Sequence, residues 1–137
     1  MKIETRPFGE VEIDEKSIII FEKGIPGFEG FLKFALFDIE GSLMKCIQSI
    51  EDKNMCLIII NPFDYFKDYE INLSADEIKR LQISKEEDVL IFNILNIKED
   101  KVTANMLAPI VVNVIKKLGV QIILQDSNYS IRQEIKC

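Results

Sequence analysis

The amino-acid sequence predicts an all-β domain, mostly antiparallel and β-barrel-like, with one short helix at about residues 74–82. Three observations lead to that fold class. Short β-branched or aromatic runs recur along most of the chain. Turn-forming residues separate them at close to the roughly 8–12-residue spacing of sandwiches and barrels. No long helical periodicity alternates with the strands, which argues against a parallel βαβ architecture.

The first run, KIETR (2–6), alternates, with Ile3 and Thr5 on one face and Lys2, Glu4 and Arg6 on the other; EVEID (10–14) repeats the pattern through Val11 and Ile13. SIIIF, KFALF, CLIII, VLIFNIL, IVVNV and VQIIL read as strands buried on both faces or set in a barrel wall. Gly9, KGIPGFEG, EGS, EDKN, NPFD, KED and Gly119 mark the turns between them. The helix is predicted from NLSADEIKRLQ, where Ser74 and Glu77 have capping-box spacing. Asp76 and Glu77 suit its positive end and Lys79 and Arg80 its negative end, while Ile78 and Leu81 form the face that docks. SKEED (84–88) adds a turn before the next strand. No repeat, linker or low-complexity segment interrupts residues 1–137, so a single domain is expected over that range.

With 47% apolar and 29% charged residues the 137-residue chain has the balance of a soluble globular protein. Its longest apolar runs fall far short of the roughly 20 residues that span a bilayer, and MKIETRPF is charged where a signal peptide is apolar. A cytoplasmic protein without membrane contact is expected. Seventeen Lys and Arg against 23 Asp and Glu give a net charge of −6. Such a surface repels phosphate backbones, so direct nucleic-acid binding is disfavoured and a basic protein partner is the natural complement. Solubility alone explains the same charge equally well. Three cysteines without CxxC spacing, Cys46, Cys56 and Cys137, predict buried free thiols rather than a disulfide or a zinc site. The chain contains no histidine, which removes the commonest general base and metal ligand.

GIPGFEG spaces three glycines but lacks both phosphate-loop patterns; Ile25-Pro26-Gly27 reads as a β-turn, structural or presenting a binding loop, with Phe28 just beyond it as core or exposed. NPFDYFKDYEINL (61–73) mixes Phe63, Tyr65, Phe66 and Tyr69 with Asp64, Asp68 and Glu70. That mixture suits a partner-binding surface, where rings anchor and carboxylates steer, or equally a loop whose rings close one end of the barrel. A paired-carboxylate hydrolase has no second signal in its favour. In TANMLAPIVVN (103–113), Pro109 belongs at a strand's start or edge, and Thr103 and Asn105 shape the preceding turn.

In order along the chain, FEKGIPGFEGFLKFALF, QSIEDKNMCLIIINPFDYFKDYEINL, TANMLAPIVVN and GVQIILQDSNYSIR together resemble the flagellar assembly factor FliW family over nearly the whole length. The last stretch places Tyr129 and Arg132 after an aliphatic strand, as the family does, either as contacts or as a structural pair. The resemblance implies a small β-barrel protein, monomeric, without enzymatic activity or cofactor. It implies binding to the C-terminal region of flagellin, in the manner of a chaperone, and to the translational regulator CsrA. Released from flagellin, such a factor antagonises CsrA and lifts repression of flagellin mRNA translation. The exposed members of the matching motifs are the expected contacts: Phe28, Glu29, Asp64, Tyr65, Asp68 and Asn105. The rivals are a small carboxylate-dependent hydrolase and a nucleic-acid-binding barrel.

Overall fold

The computed structural model describes residues 1–125 and 127–136. Its strands are β1 (Lys2–Thr5), β2 (Gly9–Glu12), β3 (Ile19–Ile20), β4 (Lys33–Asp38), β5 (Lys45–Ser49), β6 (Cys56–Ile60), β7 (Val89–Lys98), β8 (Lys101–Ala104), β9 (Ile110–Asn113), β10 (Leu118–Gln121) and β11 (Gln133–Glu134), with one helix, α1 (Ala75–Arg80). Seven strands close a barrel in the order β7-β6-β5-β4-β3-β10-β9 and back to β7. Every pairing in that ring is antiparallel except β3 with β10, which meet at Ile20 and Leu118. Closure removes most of the unpaired edges that strands this aliphatic would otherwise expose.

Alternation along the strands fills the barrel. Phe21, Phe34, Ile47, Ile59, Phe92 and Ile110 are all at most 2% exposed and form one cluster. Phe21 meets Phe34 edge-to-face, ring centroids 5.2 Å apart. Gly119 on β10 faces this cluster: a Cβ there would lie 2.6 Å from the Phe21 ring, so the wall admits no side chain at that point. The opposite faces of the strands are also covered. The β1–β2 hairpin lays Ile3, Val11 and Ile13 over Ala35 and Phe37 of β4. Helix α1 places Leu81 on Val111 and Ile122.

β7, ten residues long, serves two structures. Val89–Phe92 pairs with β9 and Asn93–Ile94 with β6, closing the barrel, while Leu95–Lys98 pairs with β8, which in turn carries β11. Between β8/β11 and the barrel lies a second cluster built on Ile60, Tyr69, Leu95, Ala104, Met106 and Ile135.

The helix forms where the capping box predicts it. Ser74 Oγ accepts from Glu77 N–H at 3.1 Å, and Glu77 Oε1 accepts from Ser74 N–H at 2.9 Å. Its docking face is narrower than the sequence pattern suggests, because Leu81 is buried and Ile78 is 40% exposed. The turn at Ile25-Pro26-Gly27 is present, closed by Phe28 N–H to the Ile25 carbonyl at 2.7 Å with Gly27 at φ +90°. SKEED supplies a 3-10 turn at Glu86–Asp88. Thr103 lies in β8 instead of shaping a turn. β5, β8 and β11, with few apolar residues in their short sequences, are strands that composition does not announce.

The cysteine expectation is overturned. Cys46 and Cys56 are joined as a disulfide across β5 and β6, with Cα atoms 6.4 Å apart. The register sets Cys46 opposite Ile58 and Gln48 opposite Cys56, so the two cysteines are diagonal neighbours on one face of the sheet. An odd cysteine count without CxxC spacing carries no information about such a pairing; hairpin register decides it. Cys137 lies outside the described residues.

Candidate functional site

The segment from Asn61 to Leu73 is shaped first by local chemistry. Asn61 Oδ1 accepts from Phe63 N–H at 2.9 Å and Pro62 presets the first helical φ, so Pro62–Asp64 forms a 3-10 turn at the end of β6. Tyr65 and Phe66 then pack against the second cluster. Tyr69, 5% exposed, reaches through it: its hydroxyl donates to the Met106 carbonyl at 2.6 Å and accepts from Asn93 Nδ2 at 3.2 Å. Asn93 Nδ2 also donates to the Asn105 carbonyl at 2.9 Å. Tyr129 stands edge-to-face on Tyr69 at 4.7 Å, and its hydroxyl accepts from Glu70 N–H at 3.0 Å. Burial pushes the Tyr69 phenol above its ordinary pKa, the Asn93 hydrogen bond opposes that shift, and the neighbouring Tyr129 adds to it.

Outside this anchored layer is a cleft of about 400 Å³ lined by Tyr65, Phe66, Asp68, Tyr69, Met106 and Tyr129, among others. Asp64, Asp68 and Glu70 are exposed along the same segment, and none forms an ion pair among the described residues. Unpaired carboxylates beside ring edges make a surface that attracts cations at a distance and offers apolar contact on arrival.

The six residues expected as contacts divide into three groups. Asp64, Tyr65 and Asp68 come together on this surface. Phe28, 41% exposed, and Glu29 occupy the separate 25–30 turn, which joins the barrel core through Ile25 and Phe31. There Glu29 Oε2 accepts from Gly27 N–H at 3.1 Å, and Gly24, at φ +69°, allows an approach that would put a Cβ 2.7 Å from the Glu29 Cα. Asn105 sits behind the cleft, and its side-chain oxygen accepts from Leu107 and Ala108 N–H at 3.2 and 3.0 Å, shaping the turn ahead of β9. Tyr129 packs on Tyr69 and accepts from Glu70 N–H, whereas Arg132 is exposed beside Asn96, Lys98 and Thr103.

Sequence reasoning passed over Asn93, the residue that joins the Tyr69 hydroxyl to the Asn105 turn. Its signal was a lone amide inside the apolar run VLIFNIL. Asn113 in IVVN carries the same signal; its Nδ2 donates to the Leu81 and Gln82 carbonyls at 2.8 and 3.1 Å, tying the C-terminal end of α1 to β9. Both side-chain nitrogens are hydrogen-bonded, as buried amides generally are, while Asn93 Oδ1 is buried without a hydrogen-bond partner among the described residues.

No Asp or Glu among the described residues is buried, and none of these residues forms a cluster of three or more His, Cys, Asp or Glu able to hold a metal. No helix among the described residues is long and apolar enough to cross a membrane.

The FliW protein family model matches residues 2–135. The flagellar assembly factor FliW of Clostridium botulinum (strain Okra / Type B1) is 41% identical over 138 aligned positions, covering 98% of this chain and 96% of that protein. The flagellar assembly factor FliW of Geobacillus sp. (strain WCH70) is 42% identical, covering 98% and 95%. A crystal structure of the flagellar assembly factor FliW superposes with a TM-score of 0.93 at 42% identity, covering 98% of this chain and 96% of that one. On sequence and fold alike, the chain belongs to the FliW family of flagellar assembly factors.

Proposed function

We propose that this flagellar assembly factor works as a protein–protein switch in the cytoplasm, as a monomeric single domain. It binds the C-terminal region of flagellin and, once released, binds and antagonises CsrA, relieving repression of flagellin mRNA translation. The observation that carries this reading is the surface over the second cluster. There Asp64 and Asp68 stand exposed beside Tyr65 and a cleft, on a chain of net charge −6. An RNA-binding regulator presents positive charge to its RNA, so an acidic body docked beside it disfavours a nearby phosphate chain. Mutually exclusive partners need either a shared surface or energetically coupled ones. Phe28 and Glu29 on the separate turn provide a second candidate contact, and Asn105 acts by holding the turn behind the cleft.

Titration of the purified protein against flagellin and CsrA, singly and in competition, tests the switch. Binding of each at micromolar concentration, with one reducing the other, is expected; failure of both to bind overturns it. Reversing Asp64 and Asp68 to lysine should slow CsrA association at low salt, with the difference shrinking as salt rises. Unchanged association rates would remove those carboxylates from the interface.

A further inference from the structure

The hydrogen-bond ladder of β10 outruns the strand itself. Gln121 pairs with Ile110, and the same register continues through Ile122 N–H to the Pro109 carbonyl at 3.0 Å and Leu124 N–H to the Leu107 carbonyl at 2.9 Å. Residues 122–124 therefore run on alongside 107–109 beyond the end of β10, held by bonds given in one direction, since Pro109 has no N–H and the Leu107 N–H goes to Asn105 Oδ1. The other edge of β10 meets β3 at Leu118 and Ile20. Amide hydrogens alternate sides along an extended chain, so that of Ile123 points away from β9, and Gln125 follows at a bend. Neither backbone amide makes a hydrogen bond among the described residues, and the Ile123 carbonyl receives only Gln125 Nε2, at 3.5 Å.

This edge borders a second, larger cleft, of about 920 Å³, between residues 122–125 and 127–129 on one side and the chain leading into α1 on the other. The Ile123 side chain stands 65% exposed there, with Leu73 also in the lining. Among the described residues lining it, Glu70 and Glu77 are the charged ones and none is Lys or Arg. Main-chain donors and acceptors in a row, an apolar side chain and one sign of charge together specify a type of ligand. They fit an added strand, held by backbone hydrogen bonds and chosen by alternate side chains.

We propose that the Ile123–Gln125 edge receives an extended segment of a partner protein in which apolar residues alternate with lysine or arginine. A second copy of this chain fits less well, since edge-to-edge pairing would bring two sets of Glu70 and Glu77 together. The inference shares with the switch only the premise that the occupant is a protein, and synthetic peptides test it without flagellin or CsrA.

The probes are a peptide of about seven residues alternating lysine and valine, its glutamate counterpart, and the lysine peptide methylated on alternate backbone nitrogens. With the full chain, the lysine peptide is expected to bind and to slow hydrogen exchange at the Ile123 and Gln125 amides. Methylation of the peptide, or Ile123→Pro in the protein, should weaken binding by about tenfold, the loss of one to two backbone hydrogen bonds. Glu70→Lys should weaken it at low salt only. Methylation of the peptide leaves the protein untouched, so the proposal stays testable if Ile123→Pro does not fold. No binding, equal binding of the lysine and glutamate peptides, indifference to methylation, or protection of these amides by self-association without peptide would each overturn it.

Discussion

The barrel interior and the cluster on its outer flank solve the same problem in different ways. Inside, Phe21, Phe34, Ile47, Ile59, Phe92 and Ile110 fill the space with hydrocarbon alone. On the flank, Tyr69 threads a hydroxyl through Met106, Leu95 and Ala104 to reach Asn93 and the Met106 carbonyl. The difference follows from what each region must hold. Seven paired strands satisfy their own backbone groups, so their interior needs only volume. The flank is covered by residues 61–73, which largely lack a ladder, and side-chain hydrogen bonds from Asn61, Tyr69 and Tyr129 do the fixing there. A region fixed by a few polar contacts can present Asp64, Tyr65 and Asp68 outward without adding its own edges to the sheet.

The largest test of that contrast is Phe34→Ala, which removes a fully buried ring with no polar role. Denaturant unfolding should show a loss of about 3–5 kcal/mol, because a closed wall relaxes poorly into the cavity. A loss below about 1 kcal/mol would mean the interior is not the main store of stability. Next comes the Cys46–Cys56 link, which ties β5 to β6 over a separation of 10 residues. Oxidised protein should exceed reduced protein by about 2–3 kcal/mol, and a Cys46→Ala, Cys56→Ala double variant should lose all response to reductant. The smallest effect is expected at Tyr69→Phe, about 1–2 kcal/mol, since the ring stays and one hydroxyl with two partners goes.

Tyr69→Phe also has a pH signature. Burial raises the phenol's folded-state pKa above its unfolded value near 10, so the folded state holds that proton more tightly. The associated stability is present below pH about 10 and is lost as pH rises through the folded value. Above pH 10 the wild type should therefore lose stability more steeply than Tyr69→Phe. Parallel curves would show that the hydroxyl is not held as the geometry has it.

Local chemistry made much of this legible. The capping box at Ser74 and Glu77, the Pro26-Gly27 turn, the alternation of Ile3 and Thr5 and the start of β9 after Pro109 depend on residues within a few positions of one another. The candidate surface was half legible: the aromatic and acidic residues of 61–73 stood out, but whether the rings cover the protein or face a partner did not. Tyr69 turned inward and Asp68 outward because Asn93 and Met106, remote in sequence, offer the tyrosine hydroxyl its partners.

What the amino-acid order determined by itself is the class of fold, the helix with its cap, the turns and the sign of the surface charge, all properties of short windows or of sums over the chain. Only the tertiary structure decided the closing of the ring through β7 and β9, the joining of Cys46 to Cys56, and the division of the six expected contacts among three places. Each of those depends on register between strands, and a register is a relation between distant segments that no window of one segment contains.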